Sequence, residues 1–119
     1  MILADTSVWV EHFRRGDPKL RELLSEGMVA MHPFVLGELA CGNLRRRKEI
    51  LGYLGDLPAA LPATDEEVLR FVEERNLYGR GVGWVDVHLM ASARLSAARL
   101  WTRDKRLAEL AGCDAMENV

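Results

Sequence analysis

The stretch ILADTSVWVEHF, residues 2–13, decides how the rest of the chain is to be interpreted. It opens with a short apolar run, and the polar letters DTS end that run abruptly. This order is typical of a buried strand that leads directly into a helix. We therefore predict a strand at 2–4 and a helix of one or two turns, which RRGDP at 14–18 ends.

Further apolar runs repeat this pattern along the chain. MVAMH at 28–32 and RLWT at 99–102 are short and apolar, and helix signals follow both, so each predicts a buried strand. AALPA at 59–63 predicts a short edge strand because prolines lie around it. DAMENV at 114–119 predicts a final short strand.

Helical patterns occupy the segments between these strands. Pro18 opens KLRELLSE, and Pro33 opens FVLGELACG, which the basic stretch NLRRRKEILGYLGDL continues as helix. A capping box of Thr64 and Glu67 begins a helix that ends at Gly79. VGWVDVHLMASARL is apolar or small on nearly every side and predicts a buried helix, and DKRLAELAG predicts the last one.

The alternation of strands with helices predicts an α/β domain with a central parallel sheet covered on both faces. The 119 residues suit a single domain spanning 1–119. Hydrophobic residues make up 49% and charged residues 29%, a balance that supports a compact core and argues against disorder.

Composition also limits where the protein acts and what it binds. No apolar run approaches the roughly 20 residues of a membrane span, and the N-terminus lacks the features of a signal peptide. Cys41 and Cys113 have no metal-binding spacing, so we predict two small buried thiols in a reducing cytoplasm. A net charge of −2 argues against a broadly basic nucleic-acid binder but allows a local basic surface.

Four carboxylates stand where the predicted fold would have a functional site. Asp5 follows the first strand directly, and Asp104 follows RLWT by two residues. Asp86 lies where a loop enters the buried helix, and Glu38 lies among apolar residues that would bury it. Sites in parallel α/β sheets lie at the carboxyl ends of the strands, so these four residues are candidates for one site.

Each carboxylate also has a purely structural interpretation. Asp5 and Asp104 would cap helices, and Asp86 would stabilise a helix dipole. Glu38 would pair with an arginine. If the four converge, however, two charges about 4 Å apart repel by on the order of 4 kcal/mol at an effective dielectric of roughly 20. A divalent cation removes this cost, and ligands that are all oxygen favour Mg²⁺ or Mn²⁺ over Zn²⁺.

The three histidines do not indicate a zinc site. His12, His32 and His88 have no zinc-site spacing among them. His88 follows Asp86 by two residues and so faces another side of the helix, which favours a core or surface position.

Four segments together resemble the PIN-domain ribonucleases, and specifically the VapC toxins of bacterial toxin–antitoxin pairs: ILADTSVWVEHF, ELACGN, WVDVHLMASA and LWTRDKRL. The resemblance covers nearly the whole chain, in the right order. It implies a PIN-like (Rossmann-like) α/β/α sandwich, an Mg²⁺-dependent endoribonuclease, a homodimer and a small VapB-like antitoxin that neutralises it. The family's acidic residues correspond to Asp5, Glu38, Asp86 and Asp104, and its polar helpers to Thr6 and Thr102.

The implied reaction is metal-assisted hydrolysis of RNA phosphodiester bonds. The metal, Mg²⁺ or Mn²⁺ by ligand chemistry, would polarise the phosphate and lower the pKa of a water that attacks in line. We predict Asp5 as the central metal ligand, with Asp86 and Asp104 completing the shell. Glu38 would bind the metal through water or orient the nucleophile. The supporting hydroxyls would hydrogen-bond carboxylates or phosphate, or else cap helices: Thr6, Ser7 and Thr102.

Basic residues would bring the negatively charged RNA to an acidic pocket. RRRK at 45–48 is either a solvated helix face or an RNA contact. The sequence leaves transfer, ribosomal and messenger RNA open as substrates, and it allows one or two metal ions. The candidates for RNA contact are Arg14, Arg15, Arg45, Arg46, Arg47, Lys48, Arg80, Arg103 and Lys105.

A phospho-receiver signalling domain is the main alternative because its length and layout are similar. Asp56 and Lys105 would supply its chemistry. However, Asp5 is followed by Thr6 instead of a second carboxylate, and Asp56 follows a basic helical stretch instead of an apolar strand. A pure interaction protein, whose carboxylates only cap helices, is a third hypothesis and predicts no response to metal.

Apolar residues bear on the predicted homodimer. They either exceed one core and form an interface, or all lie inside the core. The antitoxin is expected to offer a basic side chain to the acidic pocket. The apolar residues in question are Trp9, Phe13, Phe34, Leu51, Tyr53 and Leu54.

Overall fold

Three parallel strands form the centre of the structure, a computed structural model that describes residues 1–117. The strands are β1 (Ile2–Ala4), β2 (Val29–Ala30) and β3 (Arg99–Trp101), in the order β2-β1-β3. Both neighbours pair with β1 in parallel, as the alternation of strands and helices predicts. The first strand is therefore the middle of the sheet, and the residue after it lies at the centre of the sheet's carboxyl edge.

The two outer strands that the sequence predicts are reduced to single bridges. Met31 forms a parallel bridge with Ala59, and Leu100 forms one with Ala115. Proline has no backbone N–H and cannot extend a ladder, which limits pairing in the proline-flanked segment 59–63. The final predicted strand, 114–119, extends into residues 118–119, which lie outside the described residues.

Helices connect and cover the strands, which confirms the α/β class. The long helix α6 contacts both β1 and β3, while α2 contacts β2. A short 3-10 turn at Gly112–Asp114 follows the last helix. The helices are α1 (Thr6–Arg15), α2 (Pro18–Ser25), α3 (Pro33–Ala40), α4 (Arg47–Gly55), α5 (Asp65–Glu74), α6 (Trp84–Leu95) and α7 (Lys105–Ala111).

Helix boundaries differ from the sequence prediction at two ends. The first helix, α1, has ten residues, so the expectation of one or two turns was too short. Helix α5 ends at Glu74 and not at Gly79. The reason is Asn76, whose φ of 52° is left-handed, a conformation in which asparagine commonly ends helices. The backbone N–H of Leu77 then donates to the Val72 carbonyl at 3.0 Å and closes the helix end.

The predicted long helix after Pro33 is also wrong, because it is two helices. The N–H of Gly42 donates to the Leu39 carbonyl at 3.1 Å, and this turn ends α3. Arg46, just before α4, has a left-handed φ of 51° and so cannot continue a right-handed helix. The break creates a loop at 41–46 beside α1 and α3.

The hydrophobic core joins buried residues of the strands to buried residues of all seven helices. Residues 87–93 of α6 are all buried, which confirms the predicted buried helix. The two cysteines were wrongly predicted as buried: Cys41 and Cys113 are exposed, since each follows the end of a helix and not its core face. Among residues 1–117, no helix has the length and apolar character needed to cross a membrane.

The six apolar residues considered for a dimer interface differ in burial, and Leu51 is half-buried. Trp9 and Leu54 are buried in the core. Phe13, Phe34 and Tyr53 are exposed, between 36% and 49%. The idea that every one of these residues lies in the core is therefore wrong, and the homodimer stays a prediction.

Candidate functional site

The four predicted carboxylates line one cleft, of about 220 Å³, at the carboxyl edge of the sheet. Each comes from a different element: the ends of β1 and β3 lead to two aspartates, and α3 and α6 supply the other acids. The cleft therefore gathers residues that are up to about a hundred positions apart in sequence. Its lining residues are Asp5, Thr6, Ser7, Glu38, Val85, Asp86, Leu89 and Asp104.

Asp5 is the most buried of the four acids, with 7% of its surface exposed. It caps α1, where its carboxylate accepts a bond from the Val8 N–H at 3.3 Å and from the Ser7 hydroxyl at 2.5 Å. Burial raises the pKa of the Asp5 carboxyl, while hydrogen bonds from Ser7, Thr102 and Val8 act in the opposite direction. The capping role that the sequence suggested is real, and the same carboxylate also faces the cleft.

Two hydroxyls tie the ends of β1 and β3 together. The Ser7 hydroxyl, besides donating to Asp5, accepts a bond from the Arg103 N–H at 3.0 Å. The buried Thr102 hydroxyl accepts one from the Asp104 N–H at 3.0 Å. These bonds fix the loop that carries Asp104 next to Asp5, so the two residues act as positioning groups for the acids.

Asp86 and Asp104 both lie at helix N-termini, where the helix dipole favours negative charge. The carboxylate of Asp86 accepts a bond from the Gly83 N–H at 3.1 Å and is half-buried at the entrance of α6. Asp104 caps α7 and accepts bonds from the Arg106 and Leu107 N–H groups at 2.9 and 3.3 Å. Each acid is therefore held by backbone donors on a rigid helix end.

Glu38 departs from the expectation of a buried carboxylate. Helix α3 buries Val35 and Leu39, and Glu38 lies on the opposite, exposed face with Phe34. Its carboxylate accepts a hydrogen bond from the Thr6 hydroxyl at 2.5 Å. In the described part of the chain, it forms no ion pair with an arginine.

Val85 and Leu89 form the apolar part of the cleft wall, which sequence reasoning assigned only to the core. They stand one helical turn apart on α6 and next to Asp86. Their i, i+4 spacing around an acidic residue was the signal that could have identified them. An apolar wall limits water around the acids and strengthens their electrostatic interactions.

The donor set of the cleft fits a hard divalent cation. Its acids provide only oxygen ligands, and the buried Asp5 would keep its charge more easily beside a cation. Within residues 1–117, however, no three His, Cys, Asp or Glu side chains are close enough to form a ready-made metal centre. A cation would therefore draw the carboxylates together, and their roles as ligands stay predictions.

His32 and His88 are both buried in an aromatic cluster, so His88 is a core residue as expected. The Nε2 atom of His88 lies 3.1 Å from an Asp65 carboxylate oxygen. The Nδ1 atom of His32 accepts a bond from the Phe34 N–H at 2.9 Å and caps α3. Burial, and then the neighbouring His88, lowers the pKa of His32 from 6.5 to about 4.

We expect this lowered pKa to make the protein less stable in acid. Between pH 6.5 and about 4 the unfolded state binds the His32 proton more readily than the native state, so stability falls with the pH. His32→Asn keeps a cap acceptor for Phe34 and should reduce the difference in Tm between pH 7 and pH 5. The packing cost of the substitution is the same at both pH values. An unchanged Tm difference would contradict the assignment.

Asp56 does not occupy the position that a phospho-receiver requires. It is the residue after α4, where its N–H donates to the Tyr53 carbonyl, and it follows no strand. Lys105, the other residue of that hypothesis, begins α7. Neither of these residues lines the cleft of the four acids.

Comparisons with known proteins agree with this geometry. Residues 2–112 match the PIN domain family. Two proteins of Mycobacterium tuberculosis, one from strain CDC 1551 and one from strain H37Rv, are both called Ribonuclease VapC32. Each is 50% identical over 108 residues, which cover 90% of this chain and 87% of the relative. The crystal structure of PAE2754 from Pyrobaculum aerophilum matches with a TM-score of 0.63 at 18% identity, covering 96% of this chain and 81% of that one.

These similarities decide between the hypotheses that the sequence left open. The solved structure, at 18% identity, supports the fold alone. The family match spans nearly the whole chain, and the relatives share half of the aligned residues. This combination excludes the phospho-receiver and the pure interaction protein. The chain therefore belongs to the PIN-domain family, as one of its VapC-type ribonucleases.

Proposed function

We propose that the protein is the endoribonuclease toxin of a toxin–antitoxin pair and cleaves RNA phosphodiester bonds in the acidic cleft. The observation that carries this proposal is the convergence of four acids from four elements on one cleft. Their sequence order and the relatives called Ribonuclease VapC32 support it. PIN-domain ribonucleases generally use divalent metal, and we infer Mg²⁺, with Mn²⁺ as a substitute.

In this mechanism Asp5, Asp86 and Asp104 would hold the cation. When bound, the cation would neutralise charge on the scissile phosphate and make an attacking water more acidic. The residues of the chain do the positioning. Helix N-termini and backbone donors hold Asp86 and Asp104, and the Ser7 hydroxyl orients the buried Asp5.

Glu38 has a separate role. Its carboxylate is exposed at the edge of the cleft and is oriented by the Thr6 hydroxyl. Within residues 1–117 it forms no ion pair, and a carboxylate open to solvent suits a group that orients the attacking water and accepts its proton. Thr6 acts through Glu38 and is a positioning residue.

Partners follow from the family and stay proposals for this chain. A VapB-like antitoxin would neutralise the toxin by offering an arginine or lysine to the acidic cleft. A homodimer would use part of the exposed apolar surface that includes Phe34 and Tyr53. A cytoplasmic location remains a prediction from the sequence.

The test of the function is cleavage of RNA by the purified chain. We expect strand scission of total RNA in Mg²⁺ or Mn²⁺, loss of scission in EDTA, and recovery when Mg²⁺ is restored in excess. Gel electrophoresis with end-labelled RNA gives the measurement. Cleavage that continues after thorough chelation would contradict the metal mechanism, and intact RNA with all divalent cations would contradict the function.

A further inference from the structure

One side chain joins two of the helix ends that carry acids of the cleft. Arg106 lies in the first turn of α7, two residues after the cap residue Asp104. Its guanidinium donates from Nη1 to the backbone carbonyl of Arg80 at 3.1 Å. Arg80 belongs to the segment GRGVG at 79–83, which leads into α6 and which we call the glycine loop. A single residue of α7 therefore reaches the entrance of the helix that carries Asp86.

The contacts of Arg106 form a path from one acid to the other. Its backbone N–H donates to the Asp104 carboxylate at 2.9 Å. At the other end of the path, the N–H of Gly83 in the glycine loop donates to the Asp86 carboxylate at 3.1 Å. Within residues 1–117, the bond from Arg106 to Arg80 is the one side-chain hydrogen bond between the glycine loop and α7. The link between these two acids on this side of the cleft therefore depends on Arg106.

Arg106 also packs on the backbone of the glycine loop. A Cβ atom at Gly81 would lie 3.0 Å from its Nη1 atom and 3.2 Å from its Cδ atom, so the arginine occupies the space that a side chain would need. The φ of Gly81 is 81°, a conformation that favours glycine. Gly79 has a similar φ of 68°, but nothing lies within 4 Å of its Cβ position. Two separate features therefore require glycine at 81: the turn of the backbone and the contact with Arg106.

The composition of the glycine loop explains why it needs an anchor. Three of its five residues are glycine, so an unanchored loop would have many conformations. Asp86 and Asp104 repel each other when no cation lies between them, which favours conformations that separate them. A contact that orders the loop in advance reduces the cost of ordering it when a ligand binds. Arg106 therefore keeps Asp86 near Asp104 before a cation arrives.

We propose that Arg106 is a positioning residue of the cation site, and that its contact with the glycine loop sets the separation between Asp86 and Asp104. The inference rests on the proposed function, because it assumes that these two acids share a cation. Arg106 does not bind the cation itself, since a guanidinium has donors and no acceptor. Its effect is on the geometry of the ligands, and loss of residues that hold metal ligands commonly weakens metal binding by about 10–100-fold.

A direct contact with an RNA phosphate is the competing role for Arg106, because its side chain is exposed. The two roles differ in what they predict when no RNA is present. Removal of a positive charge that serves only RNA would leave cation affinity unchanged or raise it, since a nearby positive charge repels a cation. Removal of a positioning contact would lower cation affinity. The direction of the change in Kd for the cation therefore separates the two roles.

The experiment measures Mn²⁺ binding to the full chain by electron paramagnetic resonance, without RNA. Arg106→Ala should raise the Kd for Mn²⁺ about tenfold. Its Tm in EDTA should stay close to that of the native chain, since the side chain is exposed and alanine favours helix. Lys105→Ala removes the neighbouring positive charge but leaves the loop contact, so this matched control should not raise the Kd. Arg106→Lys should restore only part of the affinity, because lysine has no planar group to pack on Gly81.

Two glycine variants test the same contact from the side of the loop. Gly81→Ala places a methyl group against Arg106 and should also raise the Kd for Mn²⁺. Gly79→Ala imposes similar backbone strain without that contact and should raise the Kd less. In the Arg106→Ala background, Gly81→Ala should have a smaller effect than in the native chain, because substitutions of two residues in contact are not additive.

Amide hydrogen exchange in EDTA tests the position of the loop directly. We expect faster exchange at residues 79–83 in Arg106→Ala than in the native chain, because a loop that loses its anchor opens more often. The increase should include the N–H of Gly83, which holds the Asp86 carboxylate. Lys105→Ala should exchange like the native chain.

The proposal fails if Arg106→Ala binds Mn²⁺ as tightly as the native chain, or if weaker binding comes with unchanged exchange in the glycine loop. A higher KM for RNA at unchanged Mn²⁺ affinity would assign Arg106 to the substrate and would also overturn the proposal. A native chain that binds no Mn²⁺ would instead contradict the metal mechanism of the proposed function. In that case, exchange in EDTA still decides whether Arg106 holds the loop that carries Asp86.

Discussion

Asp5→Asn is expected to abolish RNA cleavage and, at the same time, to make the metal-free protein more stable. The substitution keeps the shape of the side chain, and the amide oxygen can still accept the bonds from Ser7 and Val8. Asparagine is as good an N-cap as aspartate. The change therefore removes a buried charge and little else. Loss of one cation ligand should lower cleavage by at least the hundredfold typical of an essential electrostatic group.

The stability gain follows from the raised pKa of Asp5. Burial makes the native state hold its proton to a higher pH than the unfolded chain does. The carboxyl group therefore begins to cost stability as the pH rises above the ordinary value of 3.8, and the full cost is present above its raised native pKa. At pH 7 we expect Asp5→Asn to gain about 0.5–2 kcal/mol in EDTA, the range for relaxing a functional site.

Thermal melts with and without Mg²⁺ separate this account from simple capping. The native chain should gain about 2.7 kcal/mol when Mg²⁺ is present at 100 times its Kd, and Asp5→Asn should lose most of that gain. Asp17→Asn is the matched control because Asp17 also caps a helix, α2, but lies outside the cleft. It should change neither the response to Mg²⁺ nor cleavage. An Asp5→Asn protein that behaves like this control would show that Asp5 is only a cap.

Asp86→Asn provides a graded comparison at the same cleft. Asp86 is half-buried while Asp5 is buried, so the Asp86 carboxylate loses less of its hydration in the native state. The stability gained in EDTA by removing its charge should therefore be smaller than for Asp5→Asn. Its amide oxygen can still accept the Gly83 bond that holds the start of α6. A larger gain at Asp86 than at Asp5 would mean that repulsion between the acids outweighs desolvation.

The sequence could predict the acids of the cleft because chain order alone fixes most of their positions. Asp5 and Asp104 follow strands that parallel pairing brings side by side, so their convergence needs only the sheet order. Asp86 enters the cleft because a helix too apolar for the surface must pack on those same strands. Each of these local patterns therefore fixes where its acid lies in the fold.

Features that depend on how the helices pack against each other could not be predicted from the sequence. Glu38 lies among apolar residues in the sequence, yet α3 buries only the face that carries Val35 and Leu39. Which face of a short helix is buried depends on the elements that pack against it. The break at 41–46 depends on a left-handed arginine, which carries no sequence signal. The groove that Arg14, Arg45 and Arg46 help to line is partly formed by this loop and could not be predicted either.

Glu38→Gln is expected to lower kcat by about 10²–10⁴-fold, the usual contribution of a positioned general base. Glutamine keeps an oxygen that can accept the Thr6 hydrogen bond, but it has no negative charge to take a proton. The side chain is exposed and the two residues have similar helix propensities, so the Tm in EDTA should hardly change.

The metal response of Glu38→Gln should distinguish its role from that of Asp5. If Glu38 orients the nucleophile and is not a direct ligand, the variant keeps the Mg²⁺-induced rise in Tm, which Asp5→Asn loses. Thr6→Val removes the hydroxyl that orients Glu38 and should reduce kcat less than Glu38→Gln does, while Thr6→Ser restores it. Glu109→Gln, an exposed acid on α7 outside the cleft, is the matched control. Native cleavage by Glu38→Gln would remove Glu38 from the chemistry, and loss of the Mg²⁺ response would instead make it a direct ligand.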